Sequence, residues 1–98
     1  MRPAKLRTIV EELKFETEFD LLVRLKVPRV EEFVEGVKWL LARGPEEGKQ
    51  IGNTEVWFVA NEFLPDRKEL PLVIYYTFAE HTVNLLSIVE TVYPPKNE

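Results

Sequence analysis

The sequence contains no cysteine, a single histidine and only four glycines among its 98 residues. Without cysteine the chain forms no disulfide bond and no thiolate metal site, and the single His81 argues against a metal site built from histidines. No run of about 18 apolar residues occurs, so we expect no segment that crosses a membrane. These deficits predict a protein without a metal ion or a cofactor.

Positive charge is also in short supply. The 17 acidic residues outnumber the 13 basic ones and give a formal net charge of −4 at pH 7. Proteins that bind nucleic acids usually carry a basic surface, because contacts to phosphate dominate their affinity. The charge balance therefore argues against a general DNA or RNA binder. Residues 1–5 do not lead into the apolar stretch of a signal peptide, so we predict a cytoplasmic protein.

The composition is that of one soluble globular domain. Hydrophobic residues make up 45% of the chain and charged residues 31%, and the length suffices for a single core. We predict one domain over residues 1–98, with an ordered core at about residues 6–93. Pro94 and Pro95 end the fold, and residues 94–98 are expected to form a frayed tail.

One strongly periodic helix is predicted from Pro28 to Arg43. Its apolar residues recur at intervals of three and four, which is typical of one face of a helix; they are Val30, Phe33, Val34, Val37, Leu40 and Leu41. Pro28 suits the first helical position, and Gly44 and Pro45 end the helix. The interior Gly36 costs about 1 kcal/mol relative to alanine, and we interpret it as a mark of close packing against a neighbour.

Three strands are predicted after this helix. Their β-branched and aromatic residues indicate strands at Glu55–Phe63, Leu72–Phe78 and Thr82–Val92. A polar loop at 46–54 precedes the first strand, and Ala79–His81 forms a short hairpin turn between the last two. Such short links favour antiparallel neighbours.

The N-terminal third admits two interpretations. Alternating apolar residues at 15–27 predict one long strand, preceded by a helix at 6–13. Alternatively, Arg7–Glu16 is the first strand, and Thr17-Glu18-Phe19-Asp20 is a capping box that opens a short helix ending near Lys26. The sequence leaves open whether residues 14–27 form a strand or a helix.

No catalytic motif is present, so the candidates for chemistry are isolated side chains: Arg67, His81 and Tyr93. The unperturbed pKa of a histidine lies near neutrality, as a general base requires, although a solvated histidine in a turn is the simpler interpretation of His81. Arg67, with its neighbour Lys68, is a candidate for contact with phosphate or an acidic partner, although adjacent acids favour a solvated loop. Tyr75, Tyr76 and Tyr93 are candidates for stacking on bases, although aromatic residues of alternating strands usually pack in the core or on a half-buried sheet.

Two tryptophans are the candidates for protein contact. Trp39 lies beside the apolar stripe of its helix, which indicates a helix edge that packs on another element or on a partner. If Phe58 faces the core, Trp57 lies on the outer face of the sheet with Val59, and exposed aromatic surface of that kind marks protein interfaces. The simpler interpretation is that the N-terminal segment covers that face. The predicted partner-binding residues are Trp39, Trp57, Arg67 and Lys68.

Residues 28–93 carry a family resemblance in the helix around Trp39, the strand around Trp57, Pro71-Leu72-Val73-Ile74-Tyr75-Tyr76 and Val83-Asn84-Leu85-Leu86-Ser87-Ile88. This region resembles the RelE/ParE superfamily of bacterial toxins from type II toxin–antitoxin systems. The resemblance implies an α+β fold, in which a small curved antiparallel sheet of about four strands carries a helical hairpin on one face. Residues 17–26 would then form the first helix of the hairpin.

The resemblance also implies which catalytic groups this chain lacks. Ribosome-dependent ribonucleases of the family carry a basic residue where this chain has Leu72, and often a basic residue or histidine where it has Ile88 to Glu90. Cleavage of RNA through its 2′-hydroxyl needs a proton acceptor, a cation near the phosphate and a proton donor. Only Tyr93 matches a functional position of the family. We therefore expect no competent ribonuclease site.

The leading hypothesis is a divergent RelE/ParE-like toxin-type protein that acts by protein binding. The resemblance implies a cognate antitoxin that folds onto it, and a topoisomerase or ribosome as its target. One alternative is an active ribosome-dependent RNA endonuclease with a non-standard site. The other is a small non-catalytic interaction module, unrelated to toxins, that forms a homodimer or larger oligomer.

Overall fold

The computed structural model describes residues 6–61 and 71–91. Within these ranges the chain forms, in order, β1 (Thr8–Glu11), α1 (Leu13–Arg24), α2 (Val30–Arg43), a 3-10 turn (Pro45–Glu47), β2 (Lys49–Gln50), β3 (Trp57–Ala60), β4 (Leu72–Phe78) and β5 (Thr82–Glu90). The domain is α+β, as the sequence predicts.

The strands form one five-stranded sheet in the order β1-β5-β4-β3-β2. The pairs among β2, β3, β4 and β5 are antiparallel, as their short links predict. In contrast, β1 runs parallel to β5, with Thr8 opposite Thr82 and Glu11 opposite Leu85. The sheet thus has five strands and one parallel pair, where the resemblance implies an antiparallel sheet of about four strands. Two helices connect β1 to the rest of the sheet, so no tight turn forces it to run antiparallel.

The N-terminal third is a strand followed by a helix, and the prediction of one long strand at 15–27 is wrong. Four apolar residues of α1 lie at helical spacing and face the core: Phe15, Phe19, Leu22 and Val23. Two other apolar residues of the alternating pattern are exposed, with Leu21 54% and Leu25 63% accessible, whereas Val27, beyond the helix, is half-buried. The pattern thus combined a helical core stripe with two solvent-facing leucines.

The helix α1 begins earlier than the capping-box interpretation predicts. Its N-cap is Glu12, which has extended backbone angles and makes no side-chain capping bond. Thr17 and Glu18 therefore lie inside the helix rather than at its start. The carboxylate of Glu18 is directed instead to β5, where it accepts hydrogen bonds from Ser87 and Ile88.

The helix α2 matches the predicted amphipathic helix except at its start. It begins at Val30, because Arg29 adopts a left-handed backbone conformation (φ 62°) that the helix does not allow. Pro28 therefore lies before the helix. The prediction that Pro28 occupies the first helical position is wrong. The interpretation of Gly36 is also wrong, since a Cβ atom built there meets nothing within 4 Å.

Both helices pack on one face of the sheet and form the core with it. The helices contribute Phe15, Leu22, Val30, Val34, Val37 and Leu41, and the strands contribute Leu72, Ile74, Tyr76, Val83, Leu85 and Ile88. The opposite face of the sheet is also apolar at its centre, since Phe58 and Val73 are buried there. Because both faces of the central strands are buried, these strands read as nearly continuous hydrophobic runs.

The strand predictions hold best in the middle of the sheet. The bounds of β4 agree with the prediction, and β5 ends at Glu90, one residue before the described range closes. The described part of the predicted 55–63 strand is shorter, running from Trp57 to Ala60. The loop at 46–54 contains most of the 3-10 turn and the two-residue strand β2, which its polar residues did not predict.

Candidate functional site

An open cleft lies at one end of the sheet, between two connections. In an antiparallel series, the link that enters β3 and the turn between β4 and β5 meet at the same end. The cleft between them has a volume of about 520 Å³. Its lining residues are Gln50, Asn53, Thr54, Glu55, Trp57, Thr77, Phe78, Ala79 and Asn84.

The wall formed by the β2–β3 connection is held by its own hydrogen bonds. The Thr54 hydroxyl donates to the carbonyl oxygen of Ile51 at 2.6 Å and accepts the backbone N–H of Val56 at 3.1 Å. The Gln50 amide nitrogen donates to the carbonyl oxygen of Thr54 at 2.7 Å. The backbone N–H of Ile51 donates to the carbonyl oxygen of Val56. This wall is therefore ordered before any ligand binds.

Two aromatic rings from neighbouring strands line the cleft. Trp57 and Phe78 pack edge to face, with ring centroids 5.4 Å apart. Both side chains are half-buried and lie on the helix side of the sheet with Val59. The prediction that Trp57 and Val59 lie on the outer face is therefore wrong, and Phe58 occupies the face away from the helices.

The cleft also presents polar groups with unused bonding capacity. Within the described ranges, the side chains of Asn53, Glu55 and Asn84 make no hydrogen bond or ion pair. Two amides and one carboxylate are thus available to a ligand, together with the free amide oxygen of Gln50. Glu55 is the one charged residue among those that line the cleft.

Sequence reasoning missed this cleft, although one signal was available. Its polar residues are far apart in the chain and match no motif, so no local pattern joins Gln50 to Asn84. The order of three antiparallel strands, however, already places the loop before β3 beside the turn after β4. The topology could therefore have located the cleft, but not its side-chain directions.

The residues predicted for catalysis are not brought together in the described part of the chain. His81 is exposed in the β4–β5 turn, where its Nε2 lies 3.8 Å from the Oε1 of Glu80. Arg67, Lys68 and Tyr93 lie outside the described residues, as does the predicted tail at 94–98.

A second polar cluster joins α1 to β5. The Ser87 hydroxyl donates to the Glu18 carboxylate at 2.7 Å, and the ammonium of Lys14 donates to Glu18 at 2.9 Å and to Ser87 at 3.1 Å. Burial acts to raise the pKa of Glu18. The hydrogen bonds from Ser87, Lys14 and the Ile88 N–H, together with the charge of Lys14, outweigh burial and hold this pKa below its ordinary value. Glu18 and Ser87 are thus engaged in contacts that hold α1 against β5.

A third polar contact is fully enclosed. The hydroxyl of Tyr76 donates to the carbonyl oxygen of Pro45 in the 3-10 turn, and the backbone of Gly48 also hydrogen-bonds to this tyrosine. Burial raises the pKa of Tyr76 to about 12, to which the nearby charges of Glu46 and Glu47 contribute. This hydroxyl anchors the end of α2 to the sheet and is not accessible for chemistry.

The outer surface of α2 carries the most exposed aromatic side chain that the structure describes. Trp39 is 61% accessible, and the guanidinium of Arg43 lies over its ring at 3.9 Å from the centroid. Arg43 also donates to the carbonyl oxygen of Trp39 at 2.9 Å, which fixes the stacked arrangement. Trp39 thus lies outside the core stripe of α2, as the sequence predicts.

The two strand positions at which the resemblance leads one to expect basic residues are core positions here. Leu72 and Ile88 are each 1% accessible and pack in the cluster beneath the helices. Neither position offers a side chain that accepts or donates a proton. These positions therefore contribute to stability.

Comparison with protein-family models, with curated protein sequences and with solved structures finds no match for this chain. Among the described residues, neither helix is long and apolar enough to cross a membrane. Residues 6–61 and 71–91 also contain no group of three or more histidine, cysteine or acidic side chains that could hold a metal ion.

Proposed function

We propose that this chain is a RelE/ParE-like protein of the toxin type that acts by binding another protein in the cytoplasm. The observation that carries the proposal is the pair formed by Trp39 and Arg43 on the outside of α2. Tryptophan and arginine are the residue types most enriched at the energetic centres of protein interfaces. A ring that is 61% accessible and held in place by a stacked guanidinium is preorganised for such a contact.

The architecture supports the RelE/ParE part of the proposal. A helical hairpin, α1 and α2, lies on one face of the sheet, and three antiparallel strands, β3 to β5, follow it. The resemblance implies such a hairpin on one face of an antiparallel sheet, and the parallel pairing of β1 with β5 departs from it. At the positions of Leu72 and Ile88 the ribonucleases that the chain resembles often carry the basic residues used in RNA cleavage. Apolar residues at these two positions favour a binding role over RNA cleavage.

The partner in this proposal is a cognate antitoxin, and the target is a protein such as a topoisomerase. The proposal expects a short reading frame beside the gene, and the test begins with co-expression of its product and the tagged chain. We expect the two products to purify together. Trp39→Ala should weaken the association at least about tenfold, as loss of an interface tryptophan does.

Leu13→Ala is the matched control, because Leu13 is also apolar and 79% accessible but lies at the start of α1. We expect it to leave the association unchanged. Thermal unfolding of both variants checks that neither substitution alters the fold. Equal losses with Trp39→Ala and Leu13→Ala, or none with either, would overturn the assignment of Trp39.

Inducible expression in a bacterium separates the proposal from its two alternatives. We expect falling viable counts while ribosomal and messenger RNA stay intact. RNA cleavage that is lost on alanine substitution of Arg67, His81 and Tyr93 would instead establish an endonuclease. Unaffected growth together with a stable homo-oligomer would establish an interaction module unrelated to toxins.

A further inference from the structure

The cleft between the β2–β3 connection and the β4–β5 turn is not part of the surface around Trp39, since neither Trp39 nor Arg43 lines it. We propose that it binds the side chain of an arginine from a peptide segment of a partner protein. The inference rests on the proposed function in one respect, namely that the arginine belongs to a protein partner. The cleft is formed by other elements than the outer face of α2.

The size of the cleft suits this ligand. Its volume of about 520 Å³ lies within the range of about 300–1,000 Å³ typical of ligand pockets, and it is open at one side. An open cleft of this volume accommodates one long side chain together with the backbone that carries it.

The charge of the cleft selects a cation. Glu55 supplies a carboxylate, and the other lining residues are neutral. The whole chain carries a formal net charge of −4, which also attracts cations at long range. A phosphate-bearing ligand would find a carboxylate and no basic lining residue, so a nucleotide is disfavoured.

The aromatic rings of the cleft favour a guanidinium over an ammonium ion. A guanidinium is planar and stacks on aromatic faces, whereas an ammonium ion is a compact and strongly hydrated charge. The fold contains one such contact already: Arg7, which does not line the cleft, lies with its guanidinium 5.9 Å from the ring centroid of Phe78 and donates to the carbonyl oxygen of Ala79 at 3.0 Å. Trp57, the ring beside Phe78, is half-buried and lines the cleft.

The polar groups of the cleft complement the five N–H donors of an arginine. Glu55 offers two carboxylate oxygens, and the amides of Asn84 and Gln50 each offer one acceptor oxygen. Because the Gln50 amide nitrogen already donates to Thr54, its oxygen is held on a fixed side chain. The Glu55 carboxylate and the two amide oxygens lie in the same cleft as the aromatic rings. A guanidinium bound there can satisfy most of its donors.

The proposal is tested with three blocked tripeptides in which glycines flank arginine, lysine or citrulline. Citrulline has the shape of arginine without its charge. The protein carries Trp39→Phe, so that the indole N–H signal in a nitrogen-15 NMR spectrum belongs to Trp57 alone. We expect the arginine peptide to shift this signal in a saturable manner. The lysine peptide should bind several-fold more weakly, and the citrulline peptide should give no saturable shift.

Glu55→Gln in the same background should weaken binding of the arginine peptide about tenfold, because one charge-assisted contact is lost. Glu80→Gln is the matched control, since Glu80 is an exposed acid in the adjoining turn but does not line the cleft. It should leave the dissociation constant within about twofold. Trp57 itself stays unchanged throughout, because its contacts with Phe78 make a substitution there a test of folding rather than of binding.

Three results would overturn the proposal: no saturable shift with the arginine peptide, equal binding of arginine and citrulline, or equal binding by the Glu55→Gln and Glu80→Gln variants. A larger shift with adenosine than with the arginine peptide would assign the cleft to a nucleobase and would also overturn it. The titration needs no partner protein. Its failure is therefore distinguishable from failure of the Trp39-dependent co-purification, which is measured separately.

Discussion

The carboxylate of Glu18 in α1 accepts a hydrogen bond from the backbone N–H of Ile88 in β5 at 3.2 Å. The neighbouring strand β1 ends at Glu11, opposite Leu85, so among the described residues no strand lies beside the remainder of β5 on that side. Glu18 thus provides the acceptor that a longer β1 would have supplied. A helix side chain completes the hydrogen bonding of this strand edge.

Replacement of Glu18 by alanine should reduce the free energy of unfolding by about 1–3 kcal/mol, because the partly buried donors of Ser87 and Ile88 lose their acceptor. Urea denaturation followed by circular dichroism measures the change. Glu35→Ala is the control, since Glu35 is an exposed acid of α2 with no hydrogen bond or ion pair in the described ranges. Equal effects of the two substitutions would contradict the role of Glu18.

The same carboxylate makes stability depend on pH. The pKa of Glu18 is lower in the folded chain than its ordinary value of 4.5. Its contribution to stability is therefore fully present above the unfolded value and is lost as the pH falls through the folded pKa. Between about pH 6 and pH 3 the wild type should lose more unfolding free energy than Glu18→Gln. Parallel pH profiles would show that other carboxylates account for the loss.

Replacement of Tyr76 by phenylalanine should reduce the unfolding free energy by about 1–3 kcal/mol, since the substitution leaves the buried carbonyl of Pro45 without its donor. The adjacent Tyr75 is a matched control, because it is half-buried and its hydroxyl makes no hydrogen bond in the described ranges. Tyr75→Phe should change the unfolding free energy by no more than about 0.5 kcal/mol. Chemical denaturation of both variants under one set of conditions gives the comparison.

Two glycine-to-alanine substitutions should have opposite signs. A Cβ atom at Gly48 would collide with the hydroxyl of Tyr76 and would lie 2.6 Å from the carbonyl oxygen of Phe58, so Gly48→Ala should destabilise by about 3 kcal/mol or more. A Cβ atom at Gly36 meets nothing within 4 Å in the middle of α2, so Gly36→Ala should stabilise by about 1 kcal/mol. The shift in melting temperature should be negative for the first variant and positive for the second.

The ion pair between Lys38 and Glu11, at 2.8 Å, should contribute more than an ion pair on the surface. Both side chains are only about a quarter accessible, and they join α2 to β1. Lys38→Ala should cost about 1–3 kcal/mol, whereas Arg24→Ala, which removes the exposed pair with Asp20, should cost at most about 1 kcal/mol. Salt at about 1 M screens charges on the surface. It should reduce the effect of Arg24→Ala on the unfolding free energy and leave that of Lys38→Ala unchanged.

The sequence predicted those elements whose patterns are simple. The stripe of α2 has an uninterrupted helical period, and β4 is a continuous apolar run that ends at a turn. The face of Trp57 could not be predicted, because the sheet buries apolar residues on both sides and β3 therefore alternates between two hydrophobic environments. The N-terminal third was ambiguous because the exposed Leu21 and Leu25, together with the buried residues of α1, give the alternation of a strand.

The candidate cleft was less predictable than the fold. Its polar groups come from two segments of the chain, residues 50–55 and 77–84, that are separated by more than 20 residues and match no local motif. Trp39 was predictable, since a tryptophan beside the apolar stripe of a helix needs only the helical period to be placed. A surface contributed by one element can thus be read from sequence, whereas a site between elements requires the topology.

The parallel pairing of β1 with β5 also determines when this chain can fold during synthesis. Among the described strands, β1 leaves the ribosome before the others, and its strand neighbour there is β5, in residues 82–85. Until those residues have emerged, Ile9 has no strand beside it and the sheet lacks one edge. A nascent chain of this protein therefore completes the described sheet only after β5 has emerged, and a product that stops before β5 lacks the strand that pairs with both β1 and β4.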